Sequence, residues 1–244
     1  MNNSLRDSLE RLALACRILE MEGHGDMTLG HFSLRDPEAR GFWMKRNRMG
    51  LGEIVSADDF VLVDMEGNKI AGSGGRHSEW PIHSEIYRLR PDINAVAHTH
   101  PEYASIFSAS DTPLLPYTLE ADYFDAVPRH TEKVALINEK HEGLALAKTL
   151  DRHYAVLMAN HGVTFCGTSI EHATCMGVFL EKACKAHIVA ASAGFAQPEL
   201  TEPHRRKRNS QIMMPMHIDQ SWAYFCRKIE WLQHKRGGDL RFYG

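Results

Sequence analysis

The sequence predicts a single α/β domain that spans residues 1–244, with a C-terminal extension from about residue 195. Its 244 residues are 43% hydrophobic and 24% charged, which suits one globular domain with a substantial core. Apolar residues recur at helical spacing over 5–19 and again over 170–191. Strand-like segments lie at 32–35, 60–64 and 93–100. Helical and strand patterns along one chain are the basis of the α/β prediction.

Charge and cysteine usage narrow the possible functions. A formal net charge of −3 gives no general electrostatic reason to bind nucleic acid or an anionic membrane, so we expect a small-molecule substrate. The five cysteines are odd in number and show no C-x-x-C spacing, which indicates neither a disulfide framework nor a thiolate zinc site. No basic-then-apolar leader and no apolar run of roughly 20 residues is present, and we therefore expect a cytoplasmic protein.

A pair of histidines ends the predicted strand 93–100. Side chains alternate along a strand, so His98 and His100 point to the same side. Such a pair can bring two nitrogens to one metal at about 2.0–2.1 Å. The best third ligand is His161, which follows an apolar run and precedes Gly162, where a missing side chain leaves room. The chain has 15 histidines, however, and the pair can also be read as partly exposed polar residues.

Glu79 is the candidate acid or base. Pro81 suits the first turn of a helix that ends before Pro91, so Glu79 lies near the N-terminus of that helix, where its other possible role is capping. The helix end and a nearby ion favour the carboxylate, whereas burial favours the neutral acid. Glu85 is the rival carboxylate.

Two other segments are candidates for substrate binding. The glycine-punctuated loop 24–31 can expose backbone N–H groups to an anion, or it can be a plain turn. The segment 42–48 carries Lys45, Arg46 and Arg48, which can bind a carboxylate or can lie on a solvated strand edge.

The chain resembles the class II aldolase/adducin family. The resemblance covers about residues 12–191 and rests on Ser78-Glu79-Trp80, Arg90-Pro91-Asp92, the segment 94–100 and Asn160-His161-Gly162. It implies a three-layer αβα sandwich around a largely antiparallel sheet, and a homotetramer with active sites at subunit interfaces. It also implies metal ligation by His98, His100 and His161 and acid/base catalysis by Glu79. Tyr117 lies near the position of a tyrosine that assists proton transfer in the family, although a tyrosine in this segment is more often a packing residue.

The chain departs from the family's sugar-phosphate aldolases at the phosphate subsite. Gly30-His31 replaces a Gly-Asn pair, Arg48-Met49-Gly50 falls near a Thr-Gly pair, and His77-Ser78 replaces two serines. We therefore expect Gly30, His31, Arg48, His77 and Ser78 to bind a substrate that carries a carboxylate but no phosphate.

These expectations combine into a metal-dependent carbon–carbon lyase. Zinc is the expected ion, with manganese or iron as alternatives, and the expected reaction is decarboxylation of a small hydroxy- or keto-carboxylate, aromatic acids included. The alternatives are an aldolase acting on a sugar or sugar phosphate, an iron-dependent oxygenase, and a non-enzymatic interaction domain like that of adducin.

Overall fold

An eight-stranded sheet forms the centre of the computed structural model, which describes residues 3–132 and 135–235. The strand order is β4-β3-β2-β1-β5-β8-β7-β6, and every neighbouring pair is antiparallel except β6 with β7. The strands are β1 His31–Arg35, β2 Phe42–Lys45, β3 Phe60–Val63, β4 Lys69–Ala71, β5 Ala95–Thr99, β6 Arg129–His130, β7 Ala155–Met158 and β8 Gly162–Gly167.

Helices cover both faces of this sheet. They are α1 Asn3–Leu19, α2 Trp80–Leu89, α3 Glu102–Ser108, α4 Lys140–Leu150, α5 Ile170–Ser192, α6 Glu202–Ile212 and α7 Pro215–Lys235. The helical spacing predicted over 5–19 is confirmed, because Leu5, Leu9 and Leu12 of α1 are all buried. A π-helical turn, Glu20–His24, continues α1 until Gly23, whose φ of 89° ends the helix.

Two apolar cores lie on opposite faces of the sheet, because neighbouring residues of a strand point in opposite directions. On β5, Ala95 and Ala97 belong to the core that includes α1, α3, α5 and α7. Val96 belongs to the other core, with α2 and α4. The predicted three-layer αβα sandwich with a largely antiparallel sheet is confirmed.

The central strands β1, β5 and β8 set the position of the candidate site. In their register His31 lies opposite His98, and His98 lies opposite Thr164. Directly opposed residues of antiparallel strands have Cβ atoms about 4.5–5.5 Å apart on the same face of the sheet. His31 and His98 are therefore neighbours on the α2 side, although 67 positions separate them in the chain.

The C-terminal helix α7 packs on α5 and buries Phe225 and Ile229, while α6 packs against the turn Leu119–Tyr123. Helix α7 is amphipathic, with Phe225 and Ile229 buried and Trp231 exposed. Within 3–132 and 135–235, every helix is too short or too polar to cross a bilayer.

Candidate active site

His98 and His100 meet at the end of β5. His98 is fully buried, His100 follows the strand directly, and their Nε2 atoms lie 3.0 Å apart. Both rings point to the same side, as strand alternation predicts. The reading of the pair as partly exposed polar residues is wrong for His98, which has no exposed surface, whereas His100 is partly exposed.

His161 joins them from the turn between β7 and β8. Its imidazole centroid lies 4.9 Å from that of His98 and 5.1 Å from that of His100. The turn is tight: Asn160 has a φ of 58° and the His161 N–H donates to Met158 O over 3.0 Å. Gly162 leaves room as expected, but His100 fills it, since an added Cβ would lie 2.5 Å from His100 Cδ2.

The outer nitrogens of two of these rings fix where their lone pairs point. His98 Nδ1 donates to Val163 O over 3.1 Å, and His100 Nδ1 donates to Asp26 Oδ2 over 2.9 Å. Each neutral ring carries one N–H, so both Nε2 atoms present lone pairs to each other across 3.0 Å. Two acceptor nitrogens at this distance repel each other, and a cation bound by both of them stabilises the arrangement.

This donor set fits a divalent metal ion. The possible ligand nitrogens of His98, His100 and His161 all lie within 4.8 Å of one another. Two imidazole ligands of one tetrahedral zinc ion lie about 3.3 Å apart at the usual bond lengths, close to the spacing of His98 and His100. Hydrogen bonds from the outer nitrogens to a carbonyl and a carboxylate are the usual support of metal-bound histidines. Sequence analysis missed Asp26 as this supporting carboxylate, although it lies in the singled-out loop 24–31.

Burial favours the neutral form of His98 and His161, which is the form that binds a metal. It lowers the pKa of His98 well below its ordinary value, with the neighbouring His100 and His161 adding to the effect. Burial likewise lowers the pKa of His161 to about 4, and again His100 contributes.

Glu79 lies beside this cluster at the N-terminus of α2. Its Oε1 accepts from the Ile137 N–H over 3.0 Å, and its Oε2 lies 3.8 Å from His98 Nε2. Glu79 occupies the N-cap position, but its side chain makes no capping hydrogen bond. Burial raises its pKa to about 7, and the Ile137 hydrogen bond opposes that rise. A carboxyl group with this pKa can give and take a proton near neutral pH.

Glu85, the alternative candidate for the acid or base, is held in an ion pair. It is buried in α2, and its carboxylate pairs with Arg88 over 3.3 Å. It is absent from the residues that line the candidate cavity.

A cavity of about 420 Å³ opens in front of the cluster. It is lined by Asp26, Leu29, Gly30, His31, His77, Ser78, Glu79, His100, Ser105, Leu136, Asn160 and His161. Four of the five residues predicted to bind substrate therefore lie on its wall.

The fifth of them, Arg48, and the predicted catalytic residue Tyr117 do not line this cavity. Arg48 is exposed at a turn after β2, where its φ is 61°. Tyr117 packs against His187 of α5, with ring centroids 5.2 Å apart. Its place in the loop before residues 119–123 holds it on the α5 side of the sheet, so the chain does not bring it to its own cavity.

The other two basic residues of segment 42–48 contact groups outside the cavity. Lys45 is fully buried and its Nζ contacts Met49 O, while Arg46 pairs with Asp59 over 2.7 Å. Burial lowers the pKa of Lys45 to about 8.

A chain of buried polar groups lies behind His31. His31 Nδ1 is 2.6 Å from His83 Nε2, and His83 Nδ1 is 2.6 Å from Ser33 Oγ. Ser33 Oγ in turn lies 2.8 Å from the hydroxyl of Tyr87. Neither His83 nor Ser33 was predicted from the sequence to be a functional residue. The feature that could have identified them is that each is a polar residue in an otherwise apolar element.

A second possible metal group shares His98 with the first. His31, Glu79 and His98 are all buried and also bring ligand atoms within 4.8 Å of one another. A single Nε2 lone pair binds one ion, so the two groups are alternatives. The three-histidine group is the better site, because the hydrogen bonds of His98 and His100 leave their two Nε2 lone pairs facing each other 3.0 Å apart, whereas His31 Nε2 and Glu79 Oε2 lie 3.6 Å apart.

The sequence profile described as "Class II Aldolase and Adducin N-terminal domain" matches residues 10–188. The chain belongs to this family. It is 31% identical over 205 residues to a 3,4-dihydroxyphthalate decarboxylase of Arthrobacter keyseri, covering 79% of this chain and 82% of that protein. It is also 31% identical over 179 residues to a 4-hydroxy-3-prenylphenylpyruvate oxygenase/4-hydroxy-3-prenylbenzoate synthase of Streptomyces roseochromogenus subsp. oscitans, covering 71% of this chain and 64% of that one.

A solved structure agrees with the fold. An L-fuculose 1-phosphate aldolase from Glaciozyma antarctica PI12 superimposes with a TM-score of 0.81 at 27% identity, covering 95% of this chain and 92% of that one. The class II aldolase membership predicted from the motifs is confirmed, and the chain is a lyase of this type with a possible histidine and glutamate metal site.

Proposed function

We propose that this class II aldolase-type protein is a metal-dependent decarboxylase of a small hydroxy- or keto-carboxylate, aromatic acids included. The observation that carries the proposal is the convergence of His98, His100 and His161 beside Glu79 at one cavity. Identity to a dihydroxyphthalate decarboxylase supports the class of reaction.

The three histidines would hold one divalent ion, for which their nitrogen donors favour zinc, with manganese or iron as alternatives. Such an ion would supply Lewis-acid stabilisation of the negative charge that develops when a carbon–carbon bond of the substrate breaks. His98 and His100 keep their lone pairs directed inward because Val163 O and Asp26 hold their outer nitrogens.

Glu79 supplies the proton. Carbon dioxide leaves without the bonding electron pair, which stays on the substrate carbon, and the neutral acid of Glu79 donates its proton there. The resulting carboxylate takes a new proton from solvent through the open cavity. A pKa of about 7, raised by burial, lets both forms exist near neutral pH.

The cavity wall supports a carboxylate substrate over a phosphate. Among the described residues that line it, none is a lysine or arginine, and two are the carboxylates Asp26 and Glu79. Leu29 and Leu136 add apolar surface suited to a carbon skeleton or ring. Arg48 lies outside this wall, so it does not offer an arginine fork to a substrate carboxylate, and an ion held by the three histidines would supply the positive charge instead.

The test begins with elemental analysis of the purified protein. The metal-loaded enzyme is then given hydroxybenzoates, dihydroxyphthalates and aliphatic hydroxy-acids, and carbon dioxide is measured, while fuculose- and ribulose-type phosphates are assayed for aldehyde release. We expect carbon dioxide from a hydroxy-carboxylate and little cleavage of sugar phosphates. Efficient aldehyde release with no decarboxylation would return the chain to the aldolase function of its structural neighbour.

Two other outcomes separate the remaining alternatives. Oxygen consumption that requires iron would assign the oxygenase chemistry named for the Streptomyces relative. Absence of bound metal and of every activity would favour an adducin-like interaction domain. The complete histidine cluster argues against that alternative.

We further propose a cytoplasmic homotetramer with its active sites at subunit interfaces. Leu29 and Leu136, which line the cavity, are 45% and 49% exposed, and Ile106, which follows the lining residue Ser105 in the chain, is 57% exposed. A neighbouring subunit would cover this apolar rim, and Tyr117 could then serve a neighbour's cavity. The cysteines are all unpaired, which suits a reducing compartment. Light scattering at micromolar concentration should give four times the 27.6 kDa chain mass; a monomeric mass would contradict the assembly.

A further inference from the structure

A buried histidine of α5 holds the segment 112–117, which carries Tyr117. This residue is His187, and its Nδ1 accepts a hydrogen bond from the Leu115 N–H over 3.2 Å. A backbone N–H can only donate, so Nδ1 must carry a lone pair in this contact. Burial lowers the pKa of His187 and thus favours the neutral ring, whose single proton then lies on Nε2.

Aromatic packing fixes the orientation of the same imidazole. Its centroid lies 4.8 Å from that of Phe107 in α3 and 5.2 Å from that of Tyr117. The contact with Tyr117 is edge-on, with 65° between the ring planes. The Tyr117 N–H donates to Leu115 O over 2.9 Å, which closes a tight turn around Pro116. His187 therefore contacts both the backbone and the aromatic ring of one short turn.

Arg129 fixes the other end of the segment. Its Nη2 donates to Thr112 O and its Nε donates to Ser108 O at the end of α3, each over 3.2 Å. Among the residues that the structure describes, by contrast, no hydrogen bond involves the Tyr117 hydroxyl. A tyrosine whose ring is held and whose hydroxyl has no partner in its own chain can bind a group outside that chain.

Helix α5 also holds α3, which directly follows the histidine pair of β5. The carboxylate of Glu181 accepts from the Tyr103 N–H over 2.9 Å and from the Ala104 N–H over 2.7 Å, in the first turn of α3. Glu181 and His187 are six residues apart, which is about 9 Å along a helix. One helix therefore fixes the segment 112–117 relative to the element that follows the metal ligands.

We propose that His187 is a positioning residue, which holds the segment 112–117 so that Tyr117 presents its hydroxyl to the cavity of a neighbouring subunit. The inference rests on the proposed decarboxylase and on its proposed assembly, in which active sites lie at subunit interfaces. Tyr117 would contact the substrate there, whereas His187 acts only through Tyr117.

Hydrogen exchange on the metal-loaded protein tests the positioning without relying on activity. His187→Leu removes the acceptor, and we expect the Leu115 amide to exchange about 3- to 10-fold faster, the range for one lost hydrogen bond. His187→Asn places an amide oxygen where Nδ1 lies and should restore slow exchange. The exposed His141 of α4 gives the control His141→Leu, which should change nothing. Unaltered exchange in His187→Leu would overturn the positioning role.

Steady-state kinetics tests the link to Tyr117. We expect His187→Leu to lower kcat by about 10- to 100-fold with a smaller effect on KM, because misplacing a reacting group by 1 Å can cost about 10²-fold. His187→Asn should recover most of this loss. In a Tyr117→Phe background His187→Leu should have no further effect, since the hydroxyl that it positions is gone. An equal loss of kcat in both backgrounds would reject the inference.

Co-expressed subunits test whether Tyr117 serves a neighbour. Glu79→Gln subunits keep Tyr117, and Tyr117→Phe subunits keep Glu79. If Tyr117 reaches a neighbour's cavity, mixed assemblies contain cavities with both groups and should recover activity that neither variant has alone. No recovery in assemblies shown to be mixed would overturn this arrangement.

The outcomes separate this inference from the proposed function. Carbon dioxide release with unchanged kcat in His187→Leu would reject the positioning role and leave the decarboxylase standing. Failure to release carbon dioxide from any acid, with exchange at Leu115 altered as expected, would reject the decarboxylase and leave His187 as the residue that holds the segment.

Discussion

Single side chains decide metal binding at this site. His98, His100 and His161 each contribute one nitrogen to the cluster. Replacing any one of them with alanine removes one of the three metal-binding side chains. We therefore expect each variant to lose most of its bound metal. Plasma emission spectrometry after dialysis measures the occupancy, with His141→Ala as the control. Full occupancy in all three variants would exclude the site.

A graded effect is expected at Asp26, which supports His100 without being a ligand. Its Oδ2 accepts from His100 Nδ1 over 2.9 Å. Asp26→Asn weakens this support, and changes of this kind typically cost 10- to 100-fold in metal affinity. Competition with a coloured chelator measures the dissociation constant. An unchanged constant would show that His100 is oriented by other contacts.

Proton transfer depends on Glu79. Glu79→Gln keeps the shape of the side chain and should retain metal, but lose turnover by about 10²- to 10⁴-fold, the usual contribution of a positioned acid. In the unaltered enzyme the donating form is the neutral acid, so kcat/KM should fall as the pH rises above about 7. Glu85→Gln is the control, since Arg88 holds that carboxylate. Normal turnover in Glu79→Gln would move the role elsewhere.

The same carboxyl should also affect stability. Burial raises its pKa from 4.5 to about 7 in the folded protein, so between these pH values the folded state binds more protons than the unfolded state. The free energy of unfolding therefore falls as pH rises through this window, by up to about 3 kcal/mol. Urea unfolding of metal-free protein should show Glu79→Gln gaining stability over the unaltered chain at pH 8 and not at pH 4.5. An equal difference at both pH values would contradict this.

At the scale of elements, the β5 end and the β7–β8 turn must approach closely. A Cβ at Gly162 would lie 2.5 Å from Thr99 O and from His100 Cδ2. Gly162→Ala should displace His100, weaken metal binding at least tenfold and destabilise the fold by about 1–3 kcal/mol. Gly194→Ala is the control: its φ of 71° makes it destabilising, but it is remote from the cluster and should not change metal affinity. Wild-type metal affinity in Gly162→Ala would contradict the close fit.

At the scale of the whole molecule, helices from both ends of the chain share one core. Leu9 of α1 and Phe225 of α7 belong to the same apolar cluster. We therefore predict that residues 1–244, the extension from about 195 included, behave as a single domain and unfold in one transition. Fluorescence and circular dichroism should give coincident denaturation curves. An earlier, separate loss of helical signal would show that α6 and α7 form an independent unit.

The sequence by itself determined that His98 and His100 share one side of a strand, because side-chain alternation depends only on neighbours along the chain. The family, the αβα layers and the grouping of His161 and Glu79 with that pair were implied by the resemblance of local motifs to a known family. Only the tertiary structure decided the rest. The β1–β5 register brings His31 opposite His98, the loop 24–31 brings Asp26 to His100, and α2 places His83 behind His31. It also removed Arg48 and Tyr117 from the chain's own cavity. These relations join residues 50 or more positions apart, and their geometry is set by packing across the sheet, which no local pattern encodes.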